Sequence, residues 1–292
     1  MNYIVFDLEW NIAGRANKVD PALQAAMPHE VIEIGAVKLD STFRQISRFN
    51  VYIRPKLYPI LSGHIAAVTR RLQQSLKYGL PFPDAAREFL AWCGEDYLFV
   101  TWTESDTATL LMNLRFYNID VQLAKCLDAQ YVFDCRIEKA GIQRSIEYAV
   151  DYLRLPKSQP FHQAVNDAFY TGRILGRMAE ILVAESSGED FISRYVFNPN
   201  LNHMYQMTMD GPMPTDDVMH DLRSLNLACP ACGLDLVPRE DWRRQGNVAE
   251  ASFGCPVHGP IRGKGRFRTK GEILLKATVT IRLDRDQGCW QQ

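Results

Sequence analysis

The strongest constraint on this chain sits at its start. Residues 2–8 set Tyr, Val and Asp on one side against Ile and Phe on the other, and the β-branched and aromatic content marks a buried strand. Asp7 and Glu9 stand two apart on it, so both side chains leave one face while Leu8 points to the other. Paired carboxylates repel, and a hard divalent cation such as Mg²⁺ or Mn²⁺, which prefers oxygen ligands, relieves that repulsion. A strand end reaching solvent offers the same Asp-x-Glu, so the pair needs further residues before it implies chemistry.

Two more strands are expected over 31–39 and 47–53, with Asp40-Ser41-Thr42 as turn material, which gives an antiparallel meander. An amphipathic helix opens at Pro83-Asp84 and runs through Ala91-Trp92. Tyr97–Thr101 supplies a fourth strand, and Tyr131-Val132-Phe133 is expected as a short fifth. Ser145 is a good N-cap for a helix carrying Ile146, Ala149, Val150 and Leu153. A long amphipathic helix is expected from Gln163 to about Glu185. The fold class that follows is α/β, a mixed sheet flanked by helices. Residues 187–228, with their Asn-Pro and Gly-Pro pairs, read as a connector, so the expected division is a domain over 1–186, that connector, and a small module over 229–292.

Three residues extend the acidic pattern. Asp106 opens a helix right after the fourth strand, where it either caps free N–H groups or joins a site. His162 lies in the loop entering the long helix, and Asp167 lies in that helix's first turns. Each alone is unremarkable, since an acid near a helix start also complements the macrodipole.

In their order and setting they carry more. Phe6-Asp7-Leu8-Glu9-Trp10, Trp102-Thr103-Glu104-Ser105-Asp106 and Phe161-His162-Gln163-Ala164-Val165-Asn166-Asp167-Ala168 resemble the three motifs of the DEDDh (DnaQ-like) 3′–5′ exonucleases. Glu30–Val37 and Pro81-Phe82-Pro83 make the chain most similar to the Eri-1/KapD-type branch. The resemblance spans about residues 1–185. It departs from the family at Thr103-Glu104-Ser105 and in the long polar segment 11–29.

The resemblance implies a ribonuclease-H-like five-stranded mixed sheet, two Mg²⁺ or Mn²⁺ ions, and release of nucleoside 5′-monophosphates from the 3′ end of a nucleic-acid strand, RNA in preference to DNA. It implies that Asp7 bridges both ions, that Glu9 and Asp167 hold the nucleophile-side ion, that Asp106 supports the other, and that His162 is the general base. Leu8, Trp10 and Asn11 match the family's contacts to the terminal nucleotide. Trp10 reads nearly as well as core packing.

Cys229-Pro230-Ala231-Cys232-Gly233 and Cys255-Pro256-Val257-His258-Gly259 form a C-x₂-C-x₂₂-C-x₂-H pattern suited to one structural Zn²⁺ in a closed tetrahedral set. A zinc-ribbon-like module this small would draw much of its folding free energy from the metal. Clustered thiols and an odd cysteine count of seven favour metal over disulfides. Beyond the ligands, Arg262, Lys264, Arg266, Arg268 and Lys270 alternate with small residues and one Phe, a pattern that either follows a phosphate backbone or solubilises a strand edge. Residues 229–292 hold eleven Lys/Arg against seven Asp/Glu, a balance of +4 that leaves −5 for residues 1–228. An apparent strand over 272–283 completes the ribbon or joins the main sheet.

No run of 18 apolar residues and no basic n-region is present, so a cytoplasmic, soluble protein that does not engage membrane is expected. Two other classes remain readable from the sequence: a non-catalytic nucleic-acid-binding module on an exonuclease-like scaffold, and a zinc-centred protein-interaction module.

Overall fold

Strand β1 (Asn2–Ile12) is the spine of the first unit, because its alternation supplies two cores at once. Tyr3 and Val5 face one helical layer, while Ile4, Phe6 and Leu8 face the other. The computed structural model describes residues 1–14, 17–69, 76–185, 192–201 and 204–283. The chain divides into the units Met1–Asn200 and Leu201–Gln292.

Next to β1 lie β2 (His29–Leu39) and, outside it, β3 (Gln45–Tyr52), both antiparallel as the meander requires. On its other side β4 (Tyr97–Thr101) and β5 (Cys126–Asp128) run parallel to β1, and the short β6 (Val196–Phe197) closes the sheet, giving the order β3-β2-β1-β4-β5-β6. This is the mixed α/β sheet expected, with a sixth strand. Short helices α1 (Pro21–Ala26) and α2 (Gly63–Thr69) decorate the loops. Helices α3 (Phe82–Cys93) and α4 (Glu104–Phe116) cover one face. After the one-turn α5 (Ala129–Val132), α6 (Ile146–Tyr152) and the 22-residue α7 (Ala164–Glu185) cover the other.

The fifth strand is not Tyr131-Val132-Phe133. Asp128 ends β5, and its carboxylate accepts the Tyr131 N–H at 2.9 Å, an N-cap that turns those β-prone residues into a helix. Ser145 caps α6 as expected, accepting the Tyr148 N–H at 3.1 Å.

One close approach sets the whole site. Gly35 on β2 pairs with Asp7, and a methyl group at Gly35 would lie 2.0 Å from the Val165 nitrogen and 2.2 Å from the Ala164 carbonyl carbon. The first turn of α7 therefore rests directly on the β2 backbone, beside Asp7. Backbone cannot give way as a side chain can, so Gly35→Ala is expected to cost about 2–3 kcal/mol and, by moving Asp167, to disturb whatever chemistry the acidic pattern performs. Thermal unfolding and activity measured on the same preparation check both parts.

The second unit is a five-stranded antiparallel sheet in the order β7-β11-β10-β9-β8. Its strands are β7 (Met204–Pro214), β8 (Val237–Gln245), β9 (Val248–Cys255), β10 (Gly259–Lys270) and β11 (Ile273–Leu283). Helix α8 (Thr215–Ser224) packs Val218, Met219 and Leu222 on one face, with Trp242, Phe253, Ile261, Phe267, Val279 and Ile281 of the sheet. The expected connector over 187–228 thus contributes β6, β7 and α8, while 187–191 and 202–203 lie outside the described residues. The apparent strand over 272–283 pairs with β10 and β7 in the second sheet. The module is larger than a bare ribbon and has a core of its own. No described helix is long and apolar enough to cross a membrane.

Candidate active site and metal centre

Asp7 and Glu9 sit near the end of β1, beyond the last β1–β4 pair at Val5 and Val100. A register shift between Glu9 and Trp10 interrupts the ladder with β2, a device that re-aims side chains at functional edges. Where β4 stops, the chain turns through Trp102 and Thr103 into α4, and Asp106 in its first turn reaches back to β1: its Oδ1 accepts the Leu8 N–H at 3.1 Å. Asp106 is 5 % exposed, and it meets the amide lying between the two strand acids. Cap position Thr103 makes no side-chain capping bond; the Asp106 carboxylate accepts its own N–H in the first turn as well as that of Leu8, so it serves the helix start and β1 together.

From the other face α7 brings Asp167. One carboxylate oxygen from each of Asp7, Glu9 and Asp167 lies within 4.8 Å of the others. The loop before α7 is pinned at several points. Phe161 stacks on Tyr170 with ring centroids 4.5 Å apart, the Tyr170 hydroxyl accepts the Gln159 N–H at 2.7 Å, and the Asn166 amide donates to the Pro160 carbonyl at 3.0 Å. His162 takes φ +64°, a left-handed conformation that costs a non-glycine residue on the order of 1 kcal/mol. In return its N–H donates to Asp167 Oδ2 at 3.0 Å, while its ring stays exposed.

All four acids therefore converge on one end of the sheet, and their electrostatics show strain. Burial, followed by the charges of Asp106, Asp167, Glu9 and Glu33, raises Asp7 well above the usual carboxylate range. Burial also lifts Asp106 to about 7, opposed by the Leu8 N–H and aided by the charges of Asp128 and Asp167. Asp167 rises to about 7 through burial, against the His162 N–H and with help from Glu33. Oxygen-only donors this close, in a setting where like charges are costly, match what Mg²⁺ or Mn²⁺ takes; the donor set fits such ions.

Two acids here carry no expectation from the sequence. Glu33 on β2 pairs with Glu9 across the strands and is 1 % exposed; pairing the two strands with Gly35 opposite Asp7 would have found it. Asp128 accepts the Glu104 N–H at 3.2 Å as well as that of Tyr131, so it braces the start of α4.

The three expected substrate contacts separate. Trp10 is half-buried, its ring 5.4 Å from that of His29. Leu8 is instead 3 % exposed in the core with Ile4 and Phe6. Asn11 is fully buried, donating to the Tyr58 and Ile60 carbonyls at 2.8 and 2.9 Å and accepting the Ser62 N–H at 3.0 Å. Its polar atoms serve the fold and leave none for a nucleotide; together with Asn17, whose Oδ1 accepts the Ile60 N–H, it ties the chain after β1 to the loop over residues 58–62.

In the second unit Cys229, Cys232, Cys255 and His258 converge, with ligand atoms within 4.8 Å of one another. Cys232 and Cys255 sulfurs are 3.7 Å apart, and His258 Nδ1 is 3.6 Å from Cys229 and 3.7 Å from Cys255. Tetrahedral zinc with bonds near 2.3 Å to sulfur and 2.0 Å to nitrogen demands edges of roughly 3.5–3.8 Å, so the set fits. Burial works against the Cys255 thiolate, but the His258 and Val257 N–H groups and the His258 ring bring Cys255 down to about 6. Arg262, Lys264, Arg266, Arg268 and Lys270 all fall on β10.

No curated protein matches the chain in sequence. Among solved structures, cell-death related nuclease 4 superposes with a TM-score of 0.52 at 21 % identity, over 62 % of this chain and 64 % of that one; the chain thus spans under two thirds of that relative's length. The nuclease domain of 3′hExo, described as a DEDDh family member bound to rAMP, gives 0.53 at 18 % identity, covering 62 % and 92 %. The S. pombe protein Pop2p, in a form with Mg²⁺ and Mn²⁺ bound, gives 0.50 at 18 % identity, covering 66 % and 87 %. At such identities these likenesses establish the fold. The exonuclease family model RNase_T matches residues 4–175, a stretch that takes in the paired acids of β1, the start of α4, and the pinned loop with the first half of α7, and by this match the chain belongs to the RNase_T exonuclease family.

Proposed function

We propose that the chain is a metal-dependent 3′–5′ exonuclease that hydrolyses the terminal phosphodiester of a single strand, RNA in preference to DNA, and releases nucleoside 5′-monophosphates. The observation that carries this reading is the convergence of Asp7, Glu9 and Asp167 within 4.8 Å, with Asp106 anchored on the Leu8 amide between the first two.

Asp7, Glu9 and Asp167 would hold one divalent ion, and Asp7 with Asp106 would hold a second. Such a pair, when bound, stabilises both the attacking and the leaving oxygen of an in-line displacement. The protein's part is to fix the acids before substrate arrives: Gly35 admits α7, the Leu8 N–H orients Asp106, and the His162 N–H orients Asp167. His162, exposed beside this cluster, takes the proton from the attacking water, a task imidazole performs because it titrates near neutrality. Half-buried Trp10 offers the terminal base a ring to stack on. The choice of RNA and of Mg²⁺ or Mn²⁺ draws support from relatives of the same fold, the 3′hExo nuclease domain described with rAMP and Pop2p described with those ions. Cys229, Cys232, Cys255 and His258 hold one structural Zn²⁺, a closed set with no open position for chemistry.

The test uses 5′-labelled RNA and DNA, single- and double-stranded, with and without Mn²⁺, and resolves products by length. A ladder shortening one nucleotide at a time from the 3′ end is the expected result; internal cuts, or intact substrate with Mn²⁺ present, would overturn the reading. His162→Ala should lower kcat by about 10²–10⁴-fold at neutral pH and by less at high pH, where hydroxide replaces the positioned base. A defect of equal size at every pH would return His162 to a purely structural role.

A further inference from the structure

Strand β10 carries Arg262, Lys264, Arg266, Arg268 and Lys270 at every second position, with Ile261, Gly263, Gly265 and Phe267 buried between them. Alternation places all five cations on the sheet face turned away from α8, since the buried set faces the helix. The register with β11 then opposes like charges, Arg262 against Arg282 and Arg268 against Lys276. Directly opposed cations destabilise a sheet. Across Gly259–Lys270 and Ile273–Leu283 the two strands hold seven cations and no carboxylate. On the flanking strands Glu250 pairs with Lys264 at 3.0 Å, and Asp210 stands opposite Lys276.

The cations form a line. From Arg262 to Lys270 eight residues of strand extend about 27 Å, far longer than a single small anion needs. An elongated polyanion with regularly spaced charges relieves the repulsion along such a line. Neither strand turns an aromatic ring outward: Phe267 is buried and β11 has none. Base stacking, the usual source of base preference on a sheet, is therefore missing from this face.

We propose that the outer face of β10 and β11 is a second nucleic-acid site, which grips the phosphate backbone of a single strand without regard to sequence. It rests on the exonuclease reading for the identity of the polyanion, and it adds a holding surface to the hydrolytic site. Because both sites belong to one chain, a strand held on β10 and β11 stays at high effective concentration for the hydrolytic site between successive cuts.

The test measures fluorescence anisotropy of a 5′-fluorescein oligo(U) 30-mer with the full-length, zinc-loaded protein carrying Asp7→Asn to prevent degradation. In that background the triple variant R266A/R268A/K276A should weaken binding at least about tenfold at 0.1 M salt and flatten the salt dependence by about two units of log–log slope, each phosphate contact contributing roughly 0.7. Its melting temperature should hold or rise, because repulsion is removed. Oligo(A) should bind like oligo(U), and R223A, which removes a cation from α8, should bind within about twofold of the parent. Unchanged affinity and slope in the triple variant overturn the proposal. So does tight binding of phosphatidylserine vesicles that the same variant loses while oligo(U) binding stays intact. If the ladder assay shows no hydrolysis but the triple variant still loses oligo(U), the exonuclease reading fails and the backbone-binding face stands.

Discussion

Asp7→Asn should lower mononucleotide release by about a thousandfold or more, while making the metal-free protein more stable above pH 7. The loss of rate follows from the position of Asp7, the one acid proposed to touch both ions; removing several kcal/mol of transition-state charge stabilisation corresponds to about three powers of ten. The gain in stability follows from the same crowding. Asp106 and Asp167 titrate at about 7 in the folded chain, and their usual value is 3.8; Asp7 is raised as well. Groups with raised folded-state values contribute stability that is fully present below about pH 4 and lost as pH climbs through about 7. Melting temperatures from pH 4 to 8 should therefore fall in Mg²⁺-free wild type, recover on adding Mg²⁺, and fall less in Asp7→Asn. A variant that keeps wild-type turnover, or one whose metal-free melting curve follows wild type at every pH, counts against the site.

A comparable effect is expected in the second unit on losing zinc. Cys255→Ser removes one of the four proposed ligands and replaces a thiol that sits at about 6 with a neutral hydroxyl. Cys229 and Cys255 are also part of the buried core with Trp242 and Phe253, so the proposed metal site and the core share residues. Wild type should carry one zinc per chain, and the variant should carry none and lose more than about 4 kcal/mol of stability in residues 204–283, since metal loss belongs among the few large single-site effects. Metal analysis together with hydrogen exchange on β9 and β10 reads both. Full protection without zinc would show that the sheet stands on its own core and that the four ligands only decorate it.

Much of the first unit was legible because its signals are local. Alternation gave β1, short strand-prone runs bounded by turn material gave β2 to β4, Ser145 marked its helix, and three short motifs pointed to residues far apart in sequence that the sheet brings to one end. What escaped depended on competition between neighbours or on pairing. Tyr131-Val132-Phe133 favour a strand by composition, but the Asp128 carboxylate, three residues before Tyr131, makes the helix cheaper. β5 has only three residues, too few to show a period. β7 alternates exposed and half-buried positions, yet its methionines and its Gly-Pro pair resemble linker; an edge strand tolerates such a proline, and β7 lies at the edge. Asn11 carries the family's position but not a free amide, because the loop around Tyr58 and Ile60 takes it. Glu33 becomes meaningful only once register places it beside Glu9.

The bond from the His162 amide to Asp167 joins the residue assigned to move a proton to one assigned to hold a cation. With Phe161 stacked on Tyr170 and Asn166 tied to Pro160, loop and helix start behave as a single bracket. Any displacement of the loop would carry the Asp167 carboxylate with it, so a substitution that loosens the Phe161–Tyr170 stack is felt at the acidic cluster although it changes none of the acids.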